Sequence, residues 1–133
     1  MKIRLIVPNR SNRPYEEWRP HMCGSQTTRH DRSPVDPIKA YGSRIADIAG
    51  GFTATQATGG WKDNQGKLIV ESVTVFGIAI ADTPDDEGDV THNGYPASSR
   101  IADLRDLAKQ IARDLSQTSV YLEIDGIAEF VKP

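Results

Sequence analysis

With 133 residues, 16 basic and 18 acidic side chains and a net charge of -2, the chain has the length of one domain and lacks the positive excess of a protein that coats DNA or RNA. A domain of this size buries roughly two thirds of the surface its unfolded chain exposes, which leaves no room for a second core. The single cysteine, Cys23, excludes an internal disulfide framework and suits a reducing compartment.

Ile3, Leu5 and Val7 alternate along residues 2–7 and are stopped by Pro8, the period-two pattern of a half-buried strand. This apolar run is too short and too interrupted for the core of a signal peptide. Nothing elsewhere approaches the about 18 apolar residues of a membrane span, so a soluble cytoplasmic protein is expected. A long polar stretch, residues 8 to 37, follows. At its end Asp36 precedes Pro37, an N-cap ahead of proline at the first helical position. Ile38, Tyr41, Ile45 and Ile48 then recur at helical spacing until Gly50-Gly51 ends the helix.

From Phe52 to Thr58 threonines alternate with Phe52, Ala54 and Gln56, and Gly59-Gly60-Trp61 predicts a bulge or bend before a turn at Asp63 to Gly66. Trp61 is read as structural, closing one end of the core. The return strand, Lys67 to Ala81, carries Val73, Val75, Phe76, Ile78 and Ile80 on both faces, which places it inside the sheet, with Gly77 marking a bend. A second polar stretch occupies residues 82 to 98. Ser98 or Ser99 then caps a helix whose Ile101, Leu104, Ala108, Ile111 and Leu115 form a stripe widened by Leu107 and Ala112. Val120–Ile124 and Ile127–Val131 flank Asp125-Gly126, the signature of a two-residue hairpin that sets Tyr121 opposite Phe130.

The order strand, helix, strand, strand, helix, strand, strand predicts an α+β fold over residues 1–133. It is a ferredoxin-like split βαβ unit, an antiparallel sheet with two helices on one face and an extra C-terminal strand. In this reading the first and third strands lie side by side and parallel, so the stretches at 8–37 and 82–98 leave from one edge and wall a common site. Loops longer than about 12 to 15 residues in a compact domain are commonly functional or disordered, which directs attention to both.

The first stretch holds Arg10, Arg13, Arg19, Arg29 and Arg32 but no lysine, interleaved with Tyr15, Trp18, His21 and His30. Guanidinium forks suit phosphate oxygens and aromatic rings suit bases, a chemistry that fits a nucleotide. Glu16, Glu17, Asp31 and Asp36 in the same stretch are equally able to neutralise those arginines. The expected ligand-binding set is Arg10, Arg13, Arg19 and Arg100 for a pyrophosphate, Trp18 or Tyr95 for the base, and Asn93 for a polar edge. Arg100 belongs to it because it falls in the first turn of the second helix, where backbone N–H groups favour anions. The acidic run Asp82 to Asp89 lacks the alternating oxygens of a calcium loop and is read as solvated or lying against the arginines.

His21 and Cys23 lack the second pair that zinc requires, and Cys23 with a histidine base is too sparse a pattern to define a catalytic site. No phosphate-cradling glycine motif and no RNA-binding aromatic strand is present. No metal, cofactor or long nucleic acid is expected.

Gly51-Phe52-Thr53-Ala54-Thr55, Gly60-Trp61, Asp63, Gly66 to Glu71 and Val73-Thr74-Val75 form a pattern of glycines, one Trp and strand spacing. Across residues 38 to 131 this pattern resembles the Thoeris anti-defence sponges of phages. It is also similar to a bacterial family that shares the segment standing here as Gln117-Thr118-Ser119-Val120. The sponge resemblance implies a non-enzymatic homo-oligomer in the host cytoplasm, holding a cyclic-ADP-ribose-type or cyclic oligonucleotide immune signal in pockets between subunits. Two alternatives stand beside it. One is a small dimeric α+β barrel enzyme using His92, Glu71 or Glu123; the other is an inhibitor of a host enzyme that uses the acidic stretch as a nucleic-acid mimic.

Overall fold

The computed structural model describes residues 1–12, 14–18, 26–30, 33–80, 91–92 and 95–133, with backbone alone at 14–18, 26–30, 91–92 and 95–97. The described residues form nine strands and two helices in the order β1 Lys2–Pro8, β2 Pro14–Trp18, β3 Gln26–His30, α1 Pro37–Ala49, β4 Thr53–Lys62, β5 Leu68–Ala79, β6 Thr91–His92, β7 Tyr95–Pro96, α2 Ala97–Asp114, β8 Val120–Ile124 and β9 Ile127–Val131. The main sheet has the order β4-β5-β1-β8-β9, every neighbouring pair antiparallel, and the helices pack on one face of it. This is the expected α+β class. Within the two long polar stretches the described residues form separate two-stranded ribbons, β2 with β3 and β6 with β7.

The alternation read from the sequence determines which side of each strand is inside. Ile3, Leu5 and Val7 of β1, Phe76 and Ile78 of β5 and Val120 and Leu122 of β8 face the helices and are buried. They meet Tyr41 and Ile45 of α1 and Leu104, Leu107, Ala108 and Ile111 of α2. The Asp36 carboxylate accepts from the backbone N–H groups of Ile38 and Lys39, and Gly50 at φ 91 closes α1 with its N–H on the Ala46 carbonyl, so both ends of this helix follow from local chemistry. Gly42 sits mid-helix for a packing reason: a Cβ there would come within 3.0 Å of the Phe52 ring, which stands edge-on to Phe76 at 5.2 Å. Asp125 at φ 47 and Gly126 at φ 84 make the two-residue turn of the β8–β9 hairpin.

Two expectations are corrected. Gly59 to Trp61 form no bulge: Gly59 pairs with Glu71, Gly60 with Val70 and Trp61 with Ile69 in unbroken register, so β4 stays paired up to its turn at Asp63. Gly77 likewise stays in register between Arg4 and Thr53. The larger correction concerns direction. β1 and β5 are neighbours but antiparallel, with Lys2 opposite Ala79 and Pro8 opposite Val73. A chain entering β5 from a hairpin with β4 runs opposite to β4, and the crossover through α1 makes β4 parallel to β1. β5 must therefore oppose β1. The two polar stretches consequently leave the sheet from opposite ends, not from one edge.

Candidate functional site

At the end of the sheet where β1 finishes, on the face away from the helices, the described residues form a cleft of about 500 Å³. A contiguous recess of about 280 Å³ shares Asn12, Trp61, Glu71 and Gln117 with it. Cavities of a few hundred cubic ångströms with an apolar lining and a few convergent polar groups are the usual form of a small-molecule site.

The floor is built by residues of the outward set. Ile6 of β1 stands opposite Tyr121 of β8, which in turn faces Phe130 of β9 edge-on at 5.7 Å, and Pro8 lies opposite Val73 of β5. Glu71 projects from β5 into this apolar setting. Its partner across the ladder is Gly59, which contributes no side chain to this face of β4. A Cβ on Gly59 would approach Val73 Cγ1 to 3.3 Å, so a larger residue there would crowd the floor. Two residues further on the same face of β4, Trp61 is 45% exposed at the rim, and Phe130 is 67% exposed on the opposite side. Trp61 therefore does not close the core as expected; it borders the cleft.

The remaining wall is Gln117, Thr118 and Ser119, which link α2 to β8. Their position depends on how α2 stops. Ser116 adopts φ 50, Gln117 donates its backbone N–H to the Ala112 carbonyl and Ser116 to that of Arg113. This is a Schellman ending made without glycine. The Leu115 carbonyl accepts from the backbone N–H of Asn12, tying the segment after β1 to the end of α2. That segment is anchored at its start as well. Asn9 Nδ2 donates to Gln56 Oε1, Gln56 Nε2 to Thr74 Oγ1, and Thr74 Oγ1 to Asn9 Oδ1 at 2.6 Å, a closed ring of side chains with Thr74 fully buried.

Of the expected ligand-binding residues, Arg10 lines the recess beside Glu71 and Asp63. The side chains of Arg13, Trp18, Arg19, Asn93 and Tyr95 lie outside the described residues. Arg100 is elsewhere. α2 runs from the opposite end of the sheet toward the cleft, and Arg100 precedes Leu115 by about 22 Å of helix at ~1.5 Å per residue. Arg10 and Arg100 thus cannot grip one pyrophosphate within a single chain. The charge at the cleft also differs from expectation: among the described residues it carries two carboxylates, Asp63 and Glu71, against one guanidinium, and such a lining does not select for a polyphosphate. Asp63 is engaged in its turn, accepting from the backbone N–H groups of Gln65 and Lys67, and Glu71 is the carboxylate common to the cleft and the recess. Among the described residues no cluster of His, Cys, Asp and Glu is arranged to hold a metal, and no helix is long and apolar enough to cross a membrane.

Sequence reading noted Gln117, Thr118 and Ser119 only as a segment shared with a bacterial family and gave them no place in a site, because their placement follows from a left-handed Ser116, which carries no glycine to signal it. It gave Glu71 only to the enzymatic alternative, since a lone acid within a strand reads as solvated.

The architecture as a whole is that of a two-layer α+β domain. Two solved structures share it over 99% of this chain and 88% of theirs. One is a phage SAM lyase in complex with S-methyl-5'-thioadenosine, at a TM-score of 0.54 and 13% identity. The other is a phage SAM lyase in its apo state, at 0.56 and 15%. No family model matches the sequence, and no curated protein matches it. At such identities the likeness is one of fold. It overturns the expectation of a non-enzymatic protein that sequesters a cyclic-ADP-ribose-type or cyclic oligonucleotide signal: both of these solved structures are of a phage SAM lyase, one of them in complex with S-methyl-5'-thioadenosine.

Proposed function

We propose that this chain is a lyase that takes S-adenosylmethionine, or a closely related sulfonium nucleoside, into the cleft and releases S-methyl-5'-thioadenosine. The observation that carries the reading is the setting of Glu71: a carboxylate on an apolar floor, flanked by exposed aromatic rings, in a fold shared with a phage SAM lyase.

The two nucleosides differ by the aminobutyryl group on sulfur. In the proposed step the bond between sulfur and the aminobutyryl carbon breaks and its electron pair stays on sulfur, turning the sulfonium into a neutral thioether. The carbon fragment balances itself without water, either through attack by its own carboxylate or through loss of a proton to a base. Positive charge on sulfur disappears in this step. A carboxylate held against sulfur would therefore stabilise the substrate more than the transition state and slow the reaction. Glu71 helps at the other end, accepting a hydrogen bond from the substrate ammonium or taking the released proton. Ile6, Val73 and Tyr121 supply a poorly hydrated wall that favours loss of the sulfonium charge, and Trp61 and Phe130 offer faces on which adenine can stack.

Incubating the purified protein with S-adenosylmethionine and following the nucleosides by chromatography and mass spectrometry tests this directly. S-Methyl-5'-thioadenosine accumulates with the wild type, and Glu71→Gln lowers the rate by about 100-fold or more, the range for a positioned acid or base. Intact substrate after hours at micromolar protein, with no heat of binding in calorimetry, overturns the reading.

A further inference from the structure

Arg100 is only 3% exposed, yet its Nε and Nη2 are buried with no hydrogen-bond acceptor among the described residues. These two nitrogens belong to the same edge of the guanidinium, whose N–H bonds run parallel and match the two oxygens of a carboxylate or phosphate. The residue lies four positions before Leu104 on the stripe that Leu107, Ala108 and Ile111 continue into the core, so the cation occupies an apolar face of α2. Taking a guanidinium out of water costs several kcal/mol unless an anion and hydrogen bonds compensate, so a buried fork with both donors idle implies a missing acceptor.

The helix adds to the demand. Arg100 stands in the first turn of α2, where Cα–Cβ bonds tilt toward the N-terminus and unsatisfied backbone N–H groups carry partial positive charge. That turn contains no acidic side chain to offset either. Both positive features belong to the first turn of α2, away from the cleft that contains Glu71.

We propose that Arg100 and the N-terminus of α2 form a second binding site, one for the oxyanion group of a small molecule, carboxylate or phosphate, gripped side-on by Nε and Nη2. About 22 Å of helix separates it from the cleft, at ~1.5 Å per residue, so within one chain it takes a different molecule from the proposed substrate. It does not depend on the lyase reading.

The test uses the full chain with inorganic phosphate and acetate as probes, each against chloride at matched ionic strength. The Arg100 Nε–H resonance in ¹⁵N-correlated spectra shifts saturably with phosphate or acetate but not with chloride, and the melting temperature rises in parallel. In Arg100→Lys, which keeps the charge but loses the fork, the thermal response drops at least tenfold in apparent affinity; in Arg100→Gln it is absent. Should either variant fail to fold, the wild-type resonance decides alone. An Nε–H signal indifferent to both anions overturns the proposal, as does an equal thermal response in wild type and variants. A response that emerges only after Asp82, Asp85, Asp86, Glu87 and Asp89 are changed to amides also overturns it, because the chain's own carboxylate then fills the fork.

Discussion

Thr74→Val separates the polar ring beneath the cleft from the surrounding core. The substitution keeps the β-branched shape and opens no cavity, so its whole effect comes from one oxygen. That oxygen donates to Asn9 Oδ1 at 2.6 Å and accepts from Gln56 Nε2 at 3.1 Å at a fully buried position. Losing it strands one acceptor and one donor. Partners left unsatisfied in the interior cost roughly 1–3 kcal/mol, and because Asn9 is half-buried and Gln56 exposed, water keeps the expected loss in the lower half of that range. For a domain of this length the melting temperature should fall by roughly 3–10 °C. Urea denaturation checks it, with the midpoint lowered and the slope unchanged. Because Asn9 begins the segment that carries Arg10 and Asn12 into the cleft, the variant should also weaken ligand binding there. A double-mutant cycle with Gln56→Ala isolates the ring: Gln56→Ala should cost less by about 0.5 kcal/mol or more in the Thr74→Val background than in the wild type. A Thr74→Val protein within about 0.5 kcal/mol of the wild type, or additive with Gln56→Ala, refutes the argument.

Two further perturbations follow from the helices. Asp36→Ala removes the acceptor for the N–H groups of Ile38 and Lys39 and should cost about 1 kcal/mol in chemical denaturation, while Asp36→Ser should recover most of it. Gly42→Ala gains about 1 kcal/mol in helix propensity but drives its methyl to 3.0 Å from the Phe52 ring, and overpacking of that kind costs roughly 1–3 kcal/mol. The protein should lose stability on balance, and the same change in a Phe52→Leu background should stabilise it.

The parts of this protein legible in its sequence are those governed by neighbours along the chain. Period-two alternation in Ile3-Leu5-Val7 identifies the inward side of β1, the Leu104 to Leu115 stripe defines the buried face of α2, and Asp36-Pro37, Gly50 and Asp125-Gly126 mark ends and turns through their own backbone chemistry. These interactions span a few residues, so their spacing carries the information. The outward set of the sheet was harder to read. Trp61 and Glu71 come from one hairpin and Tyr121 and Phe130 from another far along the chain, and only the register of five strands, with β1 between the hairpins and a bare Gly59 opposite Glu71, turns a scattered group into a cleft.

Strand direction decided the rest. The arginines of the first polar stretch and Arg100 resemble one phosphate-binding set in composition, which has no sense of geometry. The antiparallel pairing of β1 with β5 sends the two stretches to opposite ends, and α2 holds Arg10 and Arg100 apart by the length of a helix. Composition and periodicity therefore determined the class of fold and the lining of the core. Which charged groups meet was settled by tertiary structure alone, because electrostatic contact depends on distance through space and the sequence records only distance along the chain.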